Sequence, residues 1–123
     1  MAVTFTPYAN MIQTQNTKDY RGPNEVLIYG EITFDSSYPT GGEPVTAAII
    51  NAGISSPDIS ALKRLIPLGR NYSAGTHFGL WNNTDAKLLC FVEDGASGVC
   101  AQVANATDIA TVAIPVIVVA TPA

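Results

Sequence analysis

The sequence predicts one all-β domain, a sandwich or barrel of short antiparallel strands, and three features carry that prediction. The first is alternation. From Val26 to Phe34 every second residue (Val26, Ile28, Gly30, Ile32, Phe34) is apolar or glycine. The intervening Glu31 and Thr33 are polar, as in a strand with one buried and one wetter face. The second is punctuation: Asp35-Ser-Ser-Tyr-Pro-Thr-Gly-Gly ends that run with residue types that favour turns. The third is a hairpin, Thr76 to Trp81 and Ala86 to Glu93, joined through Asn82-Asn-Thr-Asp. Asn and Asp tolerate the left-handed geometry that tight turns require.

Taken in order, residues 1–23 are polar and weakly patterned, and read either as short peripheral strands (Val3–Phe5, Tyr8–Ile12) or as an extended arm that orders against a partner. Tyr8, Met11, Ile12 and Tyr20 are its apolar handles. Residues 24–123 hold the rest of the domain. Val26–Asp35 is a strand, and Asp35–Gly42 an exposed turn. Pro44–Ile50 suits a second strand, although Ala47 to Ile50 would also fit a short helix. Leu62–Leu68 reads as a strand, with Leu62, Arg64, Ile66 and Leu68 on one face; Ile59, Leu62 and Leu65 at helical spacing leave a helical turn as the alternative. After the hairpin come Val99–Val103 and Ile109–Val119, the latter apolar on both faces, so central in a sandwich or buried at a subunit interface. Roughly seven to nine strands with turn signals about every 8–12 residues suit a sandwich or barrel.

Composition narrows the function. Of 123 residues 47% are hydrophobic and only 13% charged, about half the usual charged share. A surface so poor in charge favours assembly with copies of itself or with a larger surface. The net charge is −4, and the six basic residues form no stripe, which argues against direct nucleic-acid binding. Val112–Ala120 is apolar but much shorter than the ~20 residues of a membrane span, and Pro115 interrupts it. The first residues lack the basic and apolar regions of a signal peptide, so synthesis and solubility in a cytoplasm are expected.

No catalytic constellation emerges. His77, the one histidine, lies in strand-like THFGLW with no G-x-S-x-G elbow elsewhere. Glu93 and Asp94 are neighbours in sequence and would face opposite sides of a strand. Two cysteines, Cys90 and Cys100, without a CxxC pair give zinc too few ligands; they read as small buried hydrophobes, with a hairpin-bridging disulfide as the alternative. No phosphate-binding glycine motif or calcium loop occurs. The expectation is a non-enzyme without metal or cofactor. A glycan-binding groove using Tyr38, Tyr72, Trp81 or His77 is the alternative, although a core Trp is the commoner case in such folds.

One resemblance adds to this reading. The run YGEITFDSSYPTGGEPV, the hairpin THFGLWNNTDAKLLCFV and the closing ANATDIATVAIPVIVV resemble small virion proteins of tailed bacteriophages, which carry a G-x-[IL]-T-F-x-x-S-Y-x-T-G-G-E strand and turn near the front. Within that group the chain looks like the capsid decoration, or cement, proteins. The resemblance spans roughly Tyr29 to Ala120. It implies a jelly-roll-like β-sandwich made in the host cytoplasm, a homotrimer bound to the phage major capsid protein on the outer capsid surface, and a mechanical role in reinforcing the shell. On that basis Tyr8, Met11, Ile12 and Tyr20 are the candidates for capsid contact, and Ile114, Val116 and Val118 for core or trimer packing. The alternative function is a head- or tail-fibre adhesion domain that binds host-surface glycans.

Overall fold

The computed structural model describes residues 3–15, 25–54, 58–69, 77–93 and 100–122. Along the chain these form β1 (Thr4–Gln15), β2 (Glu25–Thr33), β3 (Glu43–Pro44), helix α1 (Ala47–Gly53), β4 (Ile59–Pro67), β5 (His77–Asn82), β6 (Lys87–Glu93), β7 (Cys100–Gln102) and β8 (Ala113–Pro122). One four-stranded sheet has the order β1-β2-β8-β4; the other runs β3-β6-β5, with β7 also paired to β6. Every ladder is antiparallel. The all-β antiparallel class holds; the narrower jelly-roll topology is not established by these strand orders.

The alternation read from the sequence becomes the core. In β2 the side chains of Val26, Ile28 and Ile32 point inward, and in β8 those of Ile114, Val116, Val118 and Ala120 do the same, all fully buried. The ladder sets Ile28 opposite Val118 and Ile32 opposite Ile114, which stacks aliphatic pairs across the strands. Ile114, Val116 and Val118 are therefore core residues within one chain, and none has surface left for a trimer contact. Burying side chains of this size contributes about 1.5–3 kcal/mol each. Gly30 keeps the same phase, and a Cβ there would come within 2.6 Å of the Phe5 ring and 2.5 Å of the Thr6 carbonyl. The ring of β1 thus fills the place a β2 side chain would take. Leu88 and Cys90 of β6 close the core from the opposite sheet.

Several expectations are corrected. Pro44–Ile50 is not a strand: β3 ends at Pro44, and Thr46 caps α1 by accepting a hydrogen bond from the Ile49 N–H at 3.4 Å. Ile50 is the helix's one buried residue. The helical alternative at Ile59–Leu65 gives way to β4. Leu62 does not share a face with Arg64 and Ile66, because a bulge between Leu62 and Arg64 resets the register and turns Leu62 toward the core. The last strand begins at Ala113 instead of Ile109; Ile109 and Val112 are buried in a turn closed by Val112 N–H to Ile109 O at 2.9 Å. Of the cysteines only Cys90 is buried, while Cys100 is exposed, and both are free thiols. Burial pushes the Cys90 thiol up to about 12. In the leading segment, β1 is an edge strand of the sheet, and Val3 and Phe5 belong to the core.

Candidate functional site

The chemistry-bearing and surface-forming residues fall in three places: the outer face of each sheet, and the loop between β2 and β3.

Because directly paired residues share a face, the β2-β8-β4 register defines the outer face of the first sheet row by row. Glu31 lies beside Pro115; Tyr29 lies beside Ile117, which lies beside Ile66; Leu27 lies beside Val119, which lies beside Arg64. Leu68 extends the Glu31 row, its N–H bonded to the Pro115 carbonyl at 2.8 Å. This face is largely apolar yet open to solvent, with Ile66 at 41% and Leu68 at 49% exposure. At one corner Tyr8, Glu31, Leu68 and Pro115 line a hollow, where the Tyr8 hydroxyl donates to Glu31 Oε2 at 3.4 Å. At the opposite corner stand the exposed Arg64 and the half-exposed Lys63–Glu25 ion pair, 3.3 Å apart. A second hollow at the β4 edge is lined by Arg64, Ile66, Pro67, Trp81 and Asn83 among others.

The outer face of the second sheet is also apolar. Gly79, Leu88 and Cys90 are the buried side, so Phe78, Leu80, Leu89 and Phe91 face outward. Phe78 and Phe91 stack with ring centroids 5.6 Å apart, and Leu80 is 51% exposed.

The β2–β3 loop is not the exposed turn its composition suggests. Tyr38 is fully buried. Its backbone bridges Thr107, with Tyr38 N–H to Thr107 O at 3.0 Å. Its hydroxyl accepts from the Cys90 N–H at 3.0 Å and from the Gln102 side-chain amide at 2.8 Å. Along β6, β3 ends at the level of Leu88 and β7 begins at the level of Phe91, so the Tyr38 hydroxyl satisfies a ladder N–H that no strand reaches. Glu43 and Asp35, the two ends of the loop, are both buried. The Glu43 carboxyl is pushed up to about 7, first by burial, then by the Asp35 charge and a hydrogen bond with the Asp35 side chain. Asp35 Oδ1 also accepts the Ser37 N–H at 2.8 Å, whereas Glu43 Oε1 has no hydrogen-bond partner. Sequence reading missed this carboxyl pair. The signal was present: in a strand Glu43 shares a face with Val45, an inward apolar residue two positions on.

Of the residues proposed for capsid contact, Tyr8 reaches the outer face described above. Met11 and Ile12 lie in β1, where the register places Ile12 opposite Ile28; their side chains and all of Tyr20 lie outside the described residues. The groove reading is corrected at Tyr38, whose burial leaves it nothing to present to a sugar. Tyr72 lies outside the described residues. Trp81 is partly buried against the core, its indole N–H donating to Asn83 Oδ1 at 3.0 Å. His77 is half-buried, and desolvation lowers its pKa below the ordinary 6.5. Among the described residues no group of three or more His, Cys, Asp or Glu side chains could hold a metal ion, and no helix is long and apolar enough to cross a membrane.

No family model matches the chain, and no curated protein or solved structure shows significant similarity to it.

Proposed function

We propose that this chain is a structural virion protein that binds the outer surface of a tailed-phage capsid as a trimer and stabilises the shell. The resemblance of Tyr29–Glu43 and the Thr76–Val92 hairpin to decoration proteins names the role. The observation that carries it is the outer face of the β1-β2-β8-β4 sheet, where Tyr29, Ile66, Leu68, Pro115 and Ile117 form an apolar surface framed by charged corners. Contiguous apolar surface open to solvent marks a contact with another macromolecule. The low charged share of the chain, 13%, agrees with a protein that works inside an assembly. The mechanism is mechanical: the bound protein bridges neighbouring capsid subunits and adds buried area that resists the pressure of packaged DNA.

The test is co-sedimentation of the full chain with purified expanded capsids of the phage that encodes it, alongside light scattering. A trimer that binds saturably and raises the temperature of capsid disruption supports the reading. A monomer without capsid affinity overturns it.

A further inference from the structure

The outer face of the first sheet carries its own complement. With Ile117 as centre, Glu31 lies one strand over and two residues along in one direction, and Arg64 one strand over and two residues along in the opposite direction. At the ordinary spacings of a sheet, each is about 8 Å from that centre. A two-fold axis lying in the contact plane through Ile117, perpendicular to the Glu31–Arg64 diagonal, exchanges the two positions.

We infer that this face pairs with the same face of a second copy. Each Arg64 enters the Tyr8–Glu31–Leu68–Pro115 hollow of the other, and Tyr29, Ile66 and Ile117 form the apolar centre. Four observations favour a second copy over an unrelated partner. The charges are opposite and placed diagonally, which is what an isologous contact needs in order to be self-complementary. The hollow at the acidic corner measures about 460 Å³ and is walled by a carboxylate, a phenol, a proline and a leucine, an environment suited to a guanidinium and its aliphatic stem. Arg64 is exposed, and among the described residues the ion pair recorded is Lys63–Glu25, which leaves Arg64 available. The same operation lays Tyr29 of one copy near Val119 of the other and Ile66 near Pro115, apolar on apolar. The strands of the two sheets then cross steeply, as in orthogonal sheet packing.

The contact is weak. Three strands with three to four outward residues each give a face of about 400 Å² per copy by sheet spacing, half the ~800 Å² of a standard interface. Self-association is therefore concentration-dependent and salt-sensitive. The inference does not rest on the proposed capsid role, but the same face carries the capsid contact proposed above, so the two contacts exclude each other and the pairing belongs to the free protein. A three-fold assembly through another surface is compatible with it, the two-fold contact then joining free trimers until a capsid displaces it.

Sedimentation equilibrium of the full chain over a wide concentration range tests it. The expected result is that the mass doubles from its low-concentration value as concentration rises. Arg64→Glu and Glu31→Arg each weaken the doubling by about tenfold or more, and the Arg64→Glu/Glu31→Arg double swap restores it. Both positions are on the surface of intact strands, and circular dichroism of each variant confirms that the fold survives. No doubling in the parent protein, or single variants that double normally, overturns the inference. So does a double swap that stays as weak as the singles. Loss of capsid binding in Arg64→Glu without any doubling in the parent protein would assign the face to the capsid instead.

Discussion

Two turns of this protein are built from the same residue types and work in opposite ways. The β5–β6 turn, Asn82 to Ala86, is exposed along Asn83–Ala86 and holds itself together: Asn82 Oδ1 accepts the N–H groups of Thr84 and Asp85 at 3.1 and 3.2 Å, and its amide donates to Asp85 Oδ2 at 3.1 Å. The β2–β3 loop, Asp35 to Gly42, has Gly41 and Gly42 at φ 94° and 103°, as turn chemistry requires. Yet its centre, Tyr38, lies in the core and bonds to residues 52 and 64 positions away. Thr40 is held likewise, its N–H donating to Asn105 Oδ1 at 3.1 Å. The first turn shapes a hairpin; the second closes the sandwich. Local turn propensity reports that the chain reverses, and says nothing of whether the reversal is inside or outside.

Substitutions can break this comparison at graded cost. The largest effect is expected at Tyr38. Tyr38→Ala removes a fully buried ring and costs about 3–5 kcal/mol in urea unfolding. Tyr38→Phe, which keeps the ring but strands the Cys90 N–H and the Gln102 amide, costs about 1–3 kcal/mol. A loss under 1 kcal/mol for the alanine variant would mean that the loop is not part of the core.

The next effect is electrostatic. The folded pKa of Glu43, about 7, lies above its ordinary 4.5, so its contribution to stability is fully present below pH 4.5 and is lost as pH rises to about 7. That difference corresponds to at most about 3 kcal/mol. Glu43→Gln keeps the shape without the charge, and is expected to flatten the stability profile between these pH values and leave the variant more stable than the parent at pH 8. An unchanged slope would show that the Glu43 carboxyl is not buried in solution, burial being the larger cause of its raised pKa.

In the hairpin turn the effects are smaller. Asn82→Ala removes three local hydrogen bonds but leaves their partners exposed to water, so a loss of about 1 kcal/mol is expected from thermal unfolding. Ala86 occupies φ 54°, where a Cβ is strained, and Ala86→Gly is expected to gain roughly 0.5–1 kcal/mol. A destabilised glycine variant would argue that Ala86 makes a contact outweighing its strain.

The outer faces of the two sheets offer a parallel contrast. Both are largely apolar. Among the described residues of the second sheet, Lys87 and Glu93 lie at the two ends of one strand, β6, whereas the β2-β8-β4 face sets an acid and a base, Glu31 and Arg64, on a diagonal across three strands. Its charges were visible in the sequence as isolated residues, Glu31 in one strand and Arg64 in another. Their relation was not, since it depends on β8 lying between β2 and β4 and on a bulge that re-phases β4 after Leu62.

By itself the sequence determined the periodicity: strand alternation in Val26–Phe34, the Asn82–Asp85 hairpin, and the absence of a motif for metal, phosphate or nucleophilic chemistry. These are local properties, set by side-chain direction and backbone preference within a few residues. Tertiary structure decided which turn is buried, which cysteine is sequestered, that Ala47–Gly53 is a helix, and that Asp35 and Glu43 share a buried environment. Each of those outcomes depends on contacts between segments distant in the chain, where burial and desolvation outweigh local preference.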